Sequence, residues 1–400
     1  MSKEKCVLAY SGGLDTSVAI KWIAEKYNVD IIAVAVDVGE ERDYEAIRVK
    51  GEKTGAIESL VVDARDEFYS DYITKAIQSN LMYEHKYPAF TALARPLLAQ
   101  KQVEVALDRG AKYLAHGCTG KGNDQVRFEV TYAALAPEIE VIAPAREWGM
   151  TREEEIDYAE KNGIPVPMTK KSPYSTDTNL WGRSIECGVI EDPSKEAPDD
   201  AWVWTVSPQD APDQPTYVTI DFEQGVPVAL DGQKMKGAEM VGKLNQIAGA
   251  NGVGRVNMME NRLVGIKSRE LYETPAATVL LAAHRDLESL CLDRETYHFK
   301  PGLELRWSEL VYYGLWFTPL RDAIDAFIAE TQKTVTGKVT VKLYKGNCEA
   351  VARESEYSLY DFSLASYGEA DVFDQSKSKG FIDIWALPAK VAAAMKRSKQ

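Results

Sequence analysis

The 400-residue chain is 45% hydrophobic and 27% charged, the balance of a folded protein, and its length predicts two domains. Its formal net charge of −14 argues against a nucleic-acid partner, because a phosphate backbone selects an excess of Lys and Arg. No apolar run reaches the roughly 20 residues of a membrane span, and Ser11-Gly12-Gly13 cuts the first apolar stretch too early for a signal peptide.

The five cysteines are scattered without a CxxC pair and read as reduced thiols of a cytoplasmic protein. The four histidines have no ligand spacing, so no metal-ligating residue is identified. In chain order, Cys6 to Tyr10 reads as a buried strand, followed by a helix carrying Val18, Ile20, Trp22 and Ile23. Ile31 to Val36 and Ser59 to Val62 read as further strands, and Glu67 to Asn80 and Arg95 to Arg109 as helices. Tyr113 to Ala115 and Val141 to Ala143 supply two more strands. Continuous apolar strands alternating with helices predict an α/β fold built on a parallel sheet covered on both faces. Its functional loops then lie at the carboxyl ends of the strands.

Thr151-Arg152-Glu153-Glu154 has the spacing of a capping box, and that helix should end near Gly163, with Pro165 and Pro167 opening a linker. Tyr217 to Phe222 and Val226 to Leu230 predict one hairpin, and Val339 to Leu343 and Glu349 to Arg353 another. Helices are expected at Pro275 to Cys291, Trp307 to Trp316, Pro319 to Thr331 and Pro388 to Lys396. The expected division is residues 1–167, a nucleotide-binding domain, 168–365, an α+β domain, and 366–400, a C-terminal arm.

Two segments carry chemistry. Ala9-Tyr10-Ser11-Gly12-Gly13-Leu14-Asp15-Thr16-Ser17 lies between a strand and a helix. Its glycines allow close backbone approach, its hydroxyls can donate, and the helix N-terminus favours an anion, so it reads as a phosphate cradle. It has no GxxxxGK[ST] lysine and no GxGxxG pattern. The plain alternative is a Gly-Gly turn capped by Asp15 or Thr16. The second segment, His116 to Phe128, packs Thr119, Lys121, Asn123, Asp124, Gln125 and Arg127 into one glycine-rich loop and helix start after a strand. Six polar functional residues in that position favour a binding site over a simple turn with Asn123 or Asp124 as helix cap.

Ser11-Gly12-Gly13-Leu14-Asp15-Thr16-Ser17 resembles the signature of the N-type ATP pyrophosphatases, which hold the pyrophosphate leaving an attacked α-phosphate. Gly117-Cys118-Thr119-Gly120-Lys121-Gly122-Asn123-Asp124-Gln125-Val126-Arg127-Phe128 resembles the signature of argininosuccinate synthases. Further similarity runs through Ala94-Arg95-Pro96-Leu97, Gly163 to Pro167, Glu260-Asn261-Arg262 and Glu273-Thr274-Pro275-Ala276. The resemblance implies an AMP-forming carbon–nitrogen ligase of arginine biosynthesis that joins citrulline and aspartate through a citrullyl adenylate. ATP is then a substrate, and Mg2+ arrives with it.

By the same resemblance, Ala9 through Ser17 hold ATP, with Val36 near the adenosine and Gly117 close to the nucleotide. Ser11, Asp15 and Asp124 take catalytic roles. Thr119, Asn123 and Asp124 match positions that bind aspartate. Tyr87, Asn123, Arg127, Ser175, Ser184, Glu260 and Tyr272 match positions that bind citrulline. This chain departs from the family at Ala92, where a serine hydroxyl is expected, and Thr91 is the candidate substitute. Taken alone, Glu260 would read as a surface acid and Tyr272 as a core aromatic.

Other N-type pyrophosphatases, tRNA-thiolating or amidating ligases, are the nearest rivals; the acidic charge opposes a tRNA partner, and no catalytic Cys or N-terminal nucleophile of a glutaminase is apparent. A nucleotide sensor on the same fold would bind ATP without citrulline-dependent pyrophosphate release. The tail from Gly380 to Lys396 carries Phe381, Ile382, Ile384, Trp385, Leu387, Val391 and Met395, more apolar surface than a short helix buries alone. A fold-back onto its own second domain and an intersubunit contact both fit those residues. The resemblance implies the latter, in a homotetramer with Trp385 at an interface.

Overall fold

In the computed structural model the described residues are 3–165 and 173–399. Val166 and Pro167, and the expected boundary after them, lie outside the described residues. The first sheet contains β1 (Lys5–Ala9), β2 (Asp30–Asp37), β3 (Glu58–Asp63), β4 (Tyr113–Ala115) and β5 (Glu140–Ile142), all parallel in the order β3-β2-β1-β4-β5. The apolar runs of β1 and β2 follow from burial on both faces. Cys6, Leu8, Ile31 and Ala33 pack with Ile20 and Ile23 of the helix Leu14–Tyr27. Val7, Ile32 and Val34 pack on the opposite side with Val103 and Ala106 of the helix Phe90–Arg109 and with Phe128 and Tyr132. Strand order reverses at β1, with β2 on one side and β4 on the other, so a crevice opens beyond the carboxyl ends of β1 and β4.

A second sheet, antiparallel, is formed by β6 (Ser175–Asn179), β7 (Gly182–Glu186), β11 (Arg255–Asn261) and β12 (Lys267–Glu273) in the order β11-β12-β7-β6. Its turn is tied to the first sheet's loops. Leu180 N–H donates to the Val38 carbonyl at 2.9 Å, Asn179 Nδ2 to Phe90 O at 2.9 Å and Trp181 Nε1 to Pro88 O at 3.1 Å. These bonds hold β6 over the crevice. The third sheet, also antiparallel, runs β10-β9-β8-β13-β14, from β8 (Thr216–Glu223), β9 (Val226–Leu230), β10 (Gln233–Lys234), β13 (Gly337–Tyr344) and β14 (Asn347–Glu354).

The largest core does not respect the division of the sequence. Phe68, Ile73, Ile77, Phe90 and Leu93, from the first 100 residues, pack in one cluster with Leu280, Trp307, Leu310 and Val339. Residues 1–357 accordingly form one compact unit and 358–400 a second. In the second unit the helices Ser378–Trp385 and Leu387–Ser398 expose Ile382, Ile384, Trp385 and Val391, and Phe381 stacks on Trp385 with ring centroids 5.5 Å apart.

Several elements differ from expectation for identifiable reasons. The helix expected over Glu67 to Asn80 contains a π segment, Phe68–Ile73, and Thr74 Oγ1 donates to the Ser70 carbonyl at 2.5 Å within it. The helix expected from Trp307 starts at Arg294, capped by Asp293, and accommodates Pro301. Pro301 reads as a breaker in sequence. The capping box at Thr151 forms with both of its reciprocal bonds. No helix among the described residues is long and apolar enough to cross a membrane.

Candidate functional site

The crevice at the sheet's switch point is a cleft of about 730 Å³, bounded by the loop after β1, the loop after β4 and the overlying β6. Ala9, Tyr10, Ser11, Gly13, Leu14, Asp15 and Thr16 line it, with Val36, Gly117, Asp124 and Ser175. Gly12 adopts φ +74°, a conformation that costs an L side chain energy. Gly13 occupies the N-cap of the helix Leu14–Tyr27 in extended conformation, and no side chain caps that helix. Its first-turn amides and positive dipole end therefore face the loop. Ser11 Oγ lies 3.1 Å from Thr16 Oγ1 and accepts from Gly13 N–H at 3.3 Å. A Cβ on Gly117 would meet Thr16 Cγ2 at 3.0 Å, so the loop after β4 closes tightly on the loop after β1.

Ser17 sits behind the loop rather than in the cleft lining. Its buried hydroxyl donates to the Gly13 carbonyl at 2.7 Å and lies 3.2 Å from the Tyr10 hydroxyl. Gly12 also lies outside the lining, where its carbonyl accepts from Lys50 Nζ at 2.8 Å. Asp15 pairs with Arg152, which reaches Glu155 at 3.4 Å. Burial and the neighbouring Asp15 push the Glu155 carboxyl up to about 7.

Asp124 joins this cleft to a second group of residues. Arg95 Nε donates to one carboxylate oxygen at 2.9 Å and Arg127 Nη1 to the other at 2.8 Å. Burial alone would raise this carboxyl, but Arg95 and Arg127 hold it down at about 2. Arg95 also pairs with Asp177 on β6. Arg127 is almost fully buried. Its Nε donates to Tyr312 O at 3.0 Å and its guanidinium lies 4.8 Å from the Tyr312 ring centroid.

Asn123 occupies a helix N-cap position, but its side chain makes no capping bond. Its Nδ2 donates to the Tyr312 hydroxyl at 2.9 Å, and its Oδ1 accepts from Leu263 N–H at 2.8 Å. The buried Glu260 carboxylate accepts from the hydroxyls of both Tyr272 and Tyr312. Tyr272 stacks on Tyr87 with ring centroids 3.9 Å apart and 7° between planes. The Tyr87 hydroxyl lies 2.8 Å from Thr91 Oγ1. Ser184 is buried on β7, opposite Tyr272 in the ladder, and its Oγ accepts from Asp177 N–H at 3.2 Å. Thr119 and Ser175 are exposed.

Sequence reasoning did not place Arg42, Glu186, Glu270 or Tyr312 at this site, and it treated Arg95 only as part of a similar motif. Tyr312 carried no signal, being 189 residues from the Asn123 side chain it contacts. Burial and Glu270 push the Glu186 carboxyl up to about 8, and Arg262 bridges the pair at 3.6 and 2.6 Å.

An anion cradle at the switch point of a parallel sheet, closed over by an antiparallel sheet that carries Asp177, Glu186, Glu260, Glu270 and Tyr272, defines a two-part nucleotide-binding enzyme of the α/β class. The family model described as Arginosuccinate synthase N-terminal HUP domain matches residues 5–165, and that described as Arginosuccinate synthase C-terminal domain matches residues 174–392. The curated argininosuccinate synthase of Symbiobacterium thermophilum is 58% identical over 400 residues, spanning 100% of both chains. That of Streptococcus gordonii is 57% identical over 399 residues, again spanning 100% of both. That of Oceanobacillus iheyensis is 55% identical over 395 residues, 99% of this chain and 95% of its own. The chain belongs to the argininosuccinate synthase family, a family of ligases.

Proposed function

We propose that this chain ligates citrulline and aspartate to argininosuccinate at the expense of ATP, releasing AMP and pyrophosphate, as the penultimate step of arginine biosynthesis. The observation that carries the reading is the continuity of the site. Asp124 lines the phosphate-loop cleft and pairs with Arg127, whose other partner, Tyr312, belongs to the Glu260–Tyr272–Tyr87 cluster. An activated phosphate and a zwitterionic amino acid can thus meet at one point.

In this reading, Ala9 through Ser17 cradle ATP, with Val36 beside the adenosine and Gly117 against the loop. Ser11 and Asp15 act at the leaving pyrophosphate, while Gly12 and Ser17 shape the loop from behind. The ureido oxygen of citrulline attacks the α-phosphorus, forming a P–O bond as the bond to pyrophosphate breaks. The aspartate amine then attacks the ureido carbon, losing a proton, and the C–O bond to AMP breaks. Both steps depend on alignment and on stabilising charge on the departing groups.

Arg127 and Glu260 offer opposite charges to the carboxylate and ammonium of citrulline, with the stacked Tyr87 and Tyr272 against its aliphatic chain and Thr91, Ser175 and Ser184 as hydroxyl partners. Thr119 and Asn123 meet the carboxylates of aspartate. Asp124, kept ionised by Arg95 and Arg127, takes its ammonium. Among the described residues no cluster of three or more His, Cys, Asp or Glu would cage a metal. Asp15 is the protein carboxylate that would hold Mg2+ carried on the phosphates, where it would neutralise charge developing on the pyrophosphate.

The protein acts as a cytoplasmic homotetramer whose exposed C-terminal arms, Trp385 included, are covered by neighbouring copies. Pyrophosphate release measured with each of ATP, citrulline and aspartate omitted in turn tests the reading. Release should require ATP and citrulline together. Release from ATP alone, or none with all three present, would overturn it.

A further inference from the structure

A pyrophosphate leaving group is strongly anionic, yet the loop has no lysine of the kind a P-loop aims at the phosphates. A helix N-terminus supplies only about half a positive charge. Lys50 does not fill the gap, because its ammonium is bonded to the Gly12 carbonyl behind the loop. Three guanidinium groups line the cleft. Arg95 is engaged by Asp124 and Asp177, while the other two flank the phosphate loop, one at its strand end and one at its helix end. Arg42 lines the cleft and donates from Nη1 to the Ser11 carbonyl at 2.9 Å, with Glu40 as its ion-pair partner at 2.5 Å. Arg152 lines the cleft and pairs with Asp15.

Both groups are free to change partners. The Arg42 side chain is 35% exposed and that of Arg152 is 55% exposed. Solvated ion pairs of this kind hold their members weakly, whereas guanidinium–phosphate bonds are charge-assisted and bidentate. Each arginine also offsets neighbouring acid charge at the cleft, Arg42 that of Glu40 and Arg152 that of Asp15 and Glu155.

We propose that Arg42 and Arg152 form a two-armed clamp on the β- and γ-phosphates of ATP and on the pyrophosphate product, in the place a P-loop gives to lysine. This rests on the nucleotide reading of the cleft, and the test separates the two. Calorimetric titrations of the full-length protein with inorganic pyrophosphate and, separately, with AMP should be run on Arg42→Gln, Arg152→Gln and the corresponding lysine variants.

Each glutamine variant should bind pyrophosphate about tenfold more weakly, leave AMP affinity unchanged and raise the KM for ATP but not for citrulline. Lysine should restore part of the loss, keeping the charge without the fork. Glutamine variants with wild-type pyrophosphate affinity would overturn the clamp, as would equal losses for AMP, which mark distortion of the loop. A loss at only one arginine would overturn its two-armed form. A wild-type protein that binds neither pyrophosphate nor AMP would overturn the nucleotide reading itself.

Discussion

The carboxylate of Asp124 accepts a hydrogen bond from Arg127 at 2.8 Å, one turn further along the same helix, while Arg95 donates to its other oxygen. The acid is therefore the hinge between two parts of the site. Asp124→Asn should impair aspartate use and also raise the citrulline requirement, because Arg127 loses its anion, while ATP binding is spared. Steady-state kinetics with each substrate varied checks this. Wild-type citrulline saturation in the variant would separate the two groups.

The same pair predicts a pH dependence. The folded-state carboxyl lies at about 2, below its ordinary 3.8, so its contribution is fully present above pH 3.8 and is lost as pH falls toward 2. The shift corresponds to about 2 kcal/mol. The melting-temperature difference between wild type and Asp124→Asn should be constant near neutrality and shrink below about pH 4. A difference that widens in acid would contradict the assignment.

Gly12→Ala should raise the KM for ATP and cost about 1 kcal/mol of stability. The cause is backbone strain at φ +74° together with a Cβ only 3.0 Å from Ile47 Cγ1, and not a clash with phosphate, since Gly12 faces away from the cleft. Thermal melts and ATP saturation check both parts. Unchanged ATP saturation would show that the loop tolerates rearrangement.

Thr91→Val removes the hydroxyl 2.8 Å from that of Tyr87 and should raise the citrulline KM several-fold while leaving aspartate unaffected. Ala92 is fully buried, so Ala92→Ser places a hydroxyl in the core and should lower stability by about 1 kcal/mol without improving citrulline binding. Tighter citrulline binding by Ala92→Ser would contradict this.

The parallel sheet was legible because its strands are buried on both faces and carry unbroken apolar runs, as in Cys6-Val7-Leu8. The second sheet was not. In β12, Arg269, Glu270 and Glu273 are buried beside Leu271 and Tyr272, so neither alternation nor an apolar run marks the strand. Those charges have partners: Arg183 and the amides of Val203, Trp204 and Thr205 bond Glu273, Arg262 and Ser268 bond one oxygen of Glu270, and Arg269 donates to the carbonyls of Asp192 and Lys195. The helix Tyr44–Thr54 was missed for a related reason: it contains Gly51 and a mostly polar sequence, yet it sets Ile47 and Lys50 against Gly12. The loops after β1 and β4 were readable because glycine and polar residues stand out between apolar strands. Their remote partners, Tyr312 above all, were not, because only folding brings them near.

Deleting residues 358–400 removes the unit whose apolar residues are exposed. Light scattering should then report a smaller assembly, while the remaining chain keeps its nucleotide affinity. A truncated protein of unchanged mass per particle would show that the body of the protein, and not the arm, holds the copies together.

In the proposed reaction citrulline is activated through its own oxygen on the α-phosphate of ATP. Citrulline carrying an isotopic label in the ureido oxygen tests it most directly, with AMP and the amino-acid product analysed by mass spectrometry after turnover with aspartate. The label should pass to AMP. Label retained in the amino-acid product, with none in AMP, would contradict it.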